Sequence, residues 1–204
     1  MKKITLTYSL LALILSTTGC SYNVNSTPEW WFKAKGLPMP ADNGQVSLCQ
    51  NFGCTKSTSI QLTPQDLEPV HQLFKPSPNS AEEERVLIAK AMGLFETITG
   101  PKIGTSHDKA MNAFSVKSNQ LDCIAESSNS SAYLLILKQQ NLIKFHRIGG
   151  NIHRGPLTLN APHNSAVVVE ISTSEAYAVD SWFGANGEPA WITPSENWLS
   201  GSNP

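Results

Sequence analysis

The sequence predicts an α+β domain, with core helices packed on a small antiparallel sheet, and three observations predict it. An apolar stripe at helical spacing, from Val86 to Ile98, follows a serine-led helix start. Two Val-rich runs, His163 to Ile171 and Ala176 to Phe183, have the residue types of strands and are close enough in sequence to form a hairpin. The 204 residues, 40% apolar and 15% charged, suit one core without surplus for a second.

The chain opens with Lys2-Lys3, an apolar run from Ile4 to Leu15, and Ser16 to Cys20. That is the form of a secretory signal, too short to span a membrane as a stable helix. Gly19-Cys20 after an apolar core resembles a bacterial lipoprotein signal, although Thr17 stands where that pattern usually has Leu. The resemblance implies removal of residues 1–19 and acylation of Cys20, with chains such as palmitate, as the first mature residue. An ordinary signal peptide cut nearby is the alternative, and both place the mature chain in an export compartment. Acyl chains would hold the protein to a membrane at about 0.8 kcal/mol per buried methylene. In the lipoprotein sorting convention, Ser21 after the cysteine gives the periplasmic face of the outer membrane as the address.

Residues 20–44 read as a polar, Pro/Gly-rich tether that ends by laying Trp30-Trp31-Phe32 on the domain, and residues 45–204 as that single domain. Val46 to Leu62 looks like a hairpin joined near Asn51-Phe52-Gly53. Thr63-Pro64-Gln65-Asp66 starts a short helix, with Thr63 as N-cap and Pro64 in the first turn. Ser80 and Glu83 form a capping box for a longer helix that ends at Gly100-Pro101. Ile103 to Gln120 is irregular and leads into Cys123, so it is expected to wrap one edge of any site there, with His107 and Asp108 as candidate binding groups. A helix follows Cys123 despite Ser127 to Ser131, whose poor propensity is reconciled if small side chains let a buried helix approach the sheet closely. Asn141 to Ile148 reads as a strand closed by Gly149-Gly150. His146 and His153 read as solvated or hydrogen-bonded, and Trp191 and Trp198 as packing anchors.

Export permits disulfides, so the cysteines can be counted. Setting Cys20 aside leaves Cys49, Cys54 and Cys123. Cys49 and Cys54 bracket a short turn and suit a local bridge, leaving Cys123 as a free thiol. Zinc is a poor reading, because no second close-set pair of ligands follows the first and the five histidines lack ligand spacing. No cofactor is implied. Net charge is -1, which leaves no basic field to recruit nucleic acid.

Cys123 opens a helix, His163 opens a strand, and Asp180 closes the next strand. In a hairpin with its turn centred on Ile171-Ser172, His163 and Asp180 stand directly opposite and share a face; another register would slide them apart. Asp180 would fix the imidazole tautomer, and His163 would accept the thiol proton. A helix start and a neighbouring imidazolium favour a thiolate, whereas Asp122 and Glu126 oppose it if they are close and ionised. Glu126 could instead orient a substrate amine or pair with Arg147.

The order and spacing from about Asn119 to Trp182 resemble the transglutaminase-like branch of the papain-like cysteine hydrolases. The resemblance implies a transglutaminase-like fold with Cys123 as nucleophile, His163 as base and Asp180 as orienting acid, and Glu170 and Trp182 match its flanking features. Asn164-Ser165 follows the histidine where that family often has Ala-Trp. Gln120 and Asn119 are the candidate oxyanion donors beside the Cys123 amide. The expected function is a lipid-anchored cysteine hydrolase or acyl transferase of the cell envelope, acting on a peptide or protein substrate through an acyl-enzyme. The alternative is an inactive envelope lipoprotein that uses the same fold as a binding or scaffold module.

Overall fold

The computed structural model describes residues 23, 25–112, 119–155 and 160–204. Cys20 and the proposed signal segment lie outside the described residues. Within them the fold is α+β, built of helices and antiparallel sheets. No helix among the described residues is long and apolar enough to cross a membrane.

The segment read as a tether contains helix α1, Glu29–Lys35. Two neighbouring rings give it a reason to be ordered: Trp31 and Phe32 are buried, and Trp31 Nε1 donates to Ser128 Oγ at 2.9 Å. The expected hairpin is present as β1, Gln45–Cys49, against β2, Ser57–Gln61, with a short 3-10 turn over Phe52–Cys54. Cys49 and Cys54 are bonded to each other across that turn.

Helix α2, Pro64–Leu73, carries the capping box of Thr63 and Asp66. In α3, Ala81–Ile103, Ser80 Oγ accepts from Glu83 N, but the Glu83 carboxylate reaches back to Asn79 N rather than to Ser80. The helix also runs past Gly100-Pro101 to Gly104, whose left-handed backbone ends it. Pro101 falls in the last turn, and burial of Ile103 holds the chain helical beyond it.

Helix α4, Cys123–Gln139, is buried along Ala125 to Leu134, serines included. Their hydroxyls are all engaged. Ser128 and Ser131 bond the carbonyls of Ile124 and Ser127 one turn back, Ser130 meets Ser181, and Ser131 also donates to Asn151. Asn129 clasps the backbone N–H and C=O of Cys49, so the disulfide turn sits against the front of α4. The weak helix propensity is offset by satisfied buried hydroxyls and close packing.

Strand β3 spans His146–Arg154, β4 His163–Glu170, β5 Ala176–Asp180 and β6 Trp191–Pro194, in the antiparallel order β3-β4-β5-β6. Gly149-Gly150 therefore lies inside β3 rather than closing it, at a register shift between Gly149 and Ile152. A Cβ on Gly150 would come within 2.8 Å of Ser26 Oγ, Thr27 O and Trp30 Nε1, so a glycine lets the N-terminal segment press on the strand. Ala166, Val168 and Val179 face α4 in the larger core. Val167, Val169 and Ala178 face helix α5, Ser195–Leu199, whose Trp198 is wholly buried.

Of the two histidines read as solvated or hydrogen-bonded, His146 is hydrogen-bonded. It is buried, with Nδ1 2.8 Å from Glu84 Oε1 and Nε2 3.2 Å from an Arg85 nitrogen. Glu84 also accepts from the backbone of Lys144, Phe145 and His146, which ties the start of α3 to the start of β3. Those bonds, with the His146 contact, outweigh burial and hold the Glu84 carboxyl below its usual range.

Candidate active site

Asp122 is the N-cap of α4, accepting from Ala125 N at 2.9 Å, and its second oxygen accepts from Gly53 N of the disulfide turn at 2.9 Å. Its carboxylate thus locks the start of the helix to the Cys49–Cys54 loop. Cys123, half-buried at the first helical position, is the one free cysteine among the described residues. His163 and Asp180 are both buried, and His163 Nε2 lies 2.7 Å from Asp180 Oδ2.

The register behind that bond differs from the expected one. β4 and β5 pair Ala166 with Val179 and Val169 with Ala176, and Glu170 N bonds Glu175 O, so the turn is centred between Ser172 and Thr173. Continued to the strand ends, this register sets Asp180 opposite Ser165 and makes His163 its diagonal neighbour on the α5 face. Diagonal neighbours on one face remain within reach of long side chains, so the slip does not separate the pair.

With Nε2 on Asp180, Nδ1 is the ring nitrogen left to face the thiol. Burial pulls the imidazole pKa down, but the bond to Asp180 and the influence of nearby Cys123 outweigh it and push it up to about 9. Three rings enclose this imidazole: Trp182 at 4.7 Å between centroids, Phe183 at 5.4 Å, and Trp198 stacked at 5.4 Å.

Trp198 does more than pack. Its Nε1 donates at 2.7 Å to Asp180 Oδ2, the oxygen that holds His163, while Trp182 N donates to Oδ1 at 3.3 Å. Arg154 stacks over the Trp198 indole at 4.6 Å and donates to Trp198 O and Ser202 O, fixing α5 to β3. Trp198→Phe would keep the stacking ring and remove the donor to a buried carboxylate, an expected loss of about 2 kcal/mol. In a thermal melt that is a Tm lower by roughly 4–8 °C.

No sequence motif announces Asn164, yet the structure brings it to the thiol. Its Nδ2 lies 3.6 Å from Cys123 Sγ, and its Oδ1 lies 3.1 Å from Nδ1 of the exposed His153. The two expected oxyanion donors are engaged elsewhere. Gln120 Oε1 accepts from Lys109 N and Asn112 Nδ2, and Gln120 Nε2 donates to His107 O. Asn119 has a left-handed backbone, its N–H on Asn51 Oδ1 and its side chain against Gly104.

Glu126 and Asp108 are not surface binding groups. Glu126 is buried one turn past Cys123, accepts from Ser181 Oγ at 2.9 Å and lies close to Asp108, while Asp108 accepts from Leu121 N at 2.7 Å. Burial first, then the charges of Glu96 and Asp108, push the Glu126 carboxyl well above the usual range. It therefore keeps its proton and brings no full negative charge up beneath the thiol. Arg147 is not among the partners found for Glu126.

The segment 105–112 edges the site as expected, with Met111 N on Trp182 O and Trp182 Nε1 on Asn112 O. A pocket of about 380 Å³ lined by Asp42, Leu67, His71 and Gln140 lies at the opposite end of α4 and contains none of these groups. Among the described residues, no three His, Cys, Asp or Glu side chains form a group that could hold a metal ion.

No family model, curated protein or solved structure matches this chain.

Proposed function

We propose that the chain is an exported thiol hydrolase or acyl transferase acting on peptide or amide bonds, with Cys123 as nucleophile, His163 as base and Asp180 as orienting acid. The observation that carries this reading is the His163 ring, bonded to a buried carboxylate through Nε2 and close enough to the only free thiol among the described residues for Cys123 to raise its pKa. A cysteine-led helix packed on a sheet whose strands carry the histidine and the acid also supports a transglutaminase-like, papain-like fold. The lipoprotein signal and Cys20 add anchorage at the periplasmic face of the outer membrane, with envelope peptides or proteins as substrates.

In this mechanism His163 already holds the proton from the thiol when Sγ forms a bond to the carbonyl carbon, and the C=O electron pair moves onto oxygen. Collapse of that adduct expels the amine, which takes the proton from His163, and leaves the acyl group on Cys123. Water or a second amine then attacks the thioester, with His163 again as base, and releases the thiol.

Iodoacetamide labelling of Cys123, followed by mass spectrometry, tests the reading. At pH 6 the native thiol should react at least tenfold faster than glutathione, and His163→Ala should remove that advantage. A native rate no faster than glutathione's would leave the fold as an inactive binding or scaffold module.

A further inference from the structure

We propose that Asn164 is a catalytic residue, whose side-chain amide donates to the oxyanion that forms when Cys123 attacks a carbonyl. The inference rests on Cys123 being the nucleophile.

Alternation along β4 sends its residues to two layers. His163 shares a face with Val167 and Val169 toward α5, whereas Asn164 shares one with Ala166 and Val168 toward α4. The thiol at the front of α4 is therefore flanked by an imidazole from one residue and an amide from the next. The oxygen of an attacked carbonyl sits two bonds from the sulfur, so a donor 3.6 Å from Sγ faces the region where negative charge collects.

Three observations suit Asn164 to that work. His153 Nδ1 lies 3.1 Å from Oδ1, and in the tautomer that carries the proton on Nδ1 it donates there and holds Nδ2 toward the thiol. Asn164 is 8% exposed, so its N–H groups act with little water to compete. The N–H of Cys123 itself belongs to the first turn of α4, where donors lack helical acceptors, and it provides the second arm of an oxyanion hole.

Two reactions of one thiol separate this role from a structural one. Acylation by p-nitrophenyl acetate passes through a tetrahedral oxyanion and releases p-nitrophenolate, whereas iodoacetamide alkylation is a displacement at saturated carbon with no oxyanion. Both Asn164→Ala and Asn164→Leu should slow acylation of Cys123 about 10²-fold and leave alkylation within threefold of the parent. Asn164→Leu keeps the side-chain shape without adding a charge, so it answers alone if the alanine variant fails to fold. Unchanged acylation in both variants would overturn the proposal, and so would equal losses in both reactions, which would make Asn164 a support for the thiol. If the parent protein is not acylated at Cys123, the proposed function fails and this inference fails with it. Acylation intact in the parent and in both variants removes only the role of Asn164.

Discussion

Asp180→Asn is expected to slow the acylation of Cys123 by p-nitrophenyl acetate on the order of 10³-fold, because it removes the charge that makes His163 a strong base. In the native protein the imidazole pKa is about 9, against an ordinary value of 6.5, and the bond to Asp180 is the largest influence raising it. Without that carboxylate, burial is opposed only by Cys123 and the value should fall well below 9. Titration of the His163 ring by NMR reads this directly. The same shift sets a sign for stability: the paired imidazolium contributes fully below pH 6.5, and its contribution is lost as pH rises through about 9. Asp180→Asn should therefore be least stable relative to the native protein in acid, by up to about 3 kcal/mol, and the gap should close above pH 9. A gap that does not vary between pH 6 and pH 10 would contradict the pairing.

Glu96→Gln is expected to make the protein more stable in mild alkali. Burial, outweighing the bond from Gly187 N and reinforced by the charge of Asp108, pushes the Glu96 carboxyl up to about 8. The unfolded chain releases that proton near the ordinary value of 4.5. Between those values the folded state holds the extra proton, so its stability falls as pH rises, by about 1.4 kcal/mol per pH unit for each such carboxyl. Glutamine keeps an oxygen for Gly187 N and has no proton to lose. Urea unfolding should give similar stabilities near pH 4.5 and a variant more stable at pH 8 by roughly 3–5 kcal/mol. Equal stabilities at pH 8 would mean that Glu96 is ionised in the fold.

Much of the scaffold was legible because local rules carried it. Thr63 and Ser80 announce their helices through capping chemistry, the Val-rich runs announce β4 and β5, and the spacing of Cys49 and Cys54 announces their bond. Boundaries failed where tertiary packing overrode a local signal, as with Pro101 inside α3 and Gly150 inside β3. His163 and Asp180 were legible as a pair of strand-end residues, and their meeting tolerates a register error because either alignment keeps them on one face. Trp198 was legible as a packing anchor, but its bond to Asp180, the place of Asn164 and the clustering of Glu96, Asp108 and Glu126 were not. Each acts through a partner distant in sequence, and no periodicity or cap encodes which asparagine, tryptophan or acid will arrive there.

The clasp of Arg154 on α5 gives the site a history during synthesis. A chain made from its N-terminus presents Cys123 first, then His163 and Asp180, and reaches Trp198 only 75 residues after the thiol. The indole that grips Asp180 and the carbonyls that engage Arg154 come with that stretch. Until it has emerged, the acid lacks one of its donors and the imidazole one of its walls. The thiol is therefore made before the imidazole beside it is fully framed, and the two reach their final arrangement only when α5 docks.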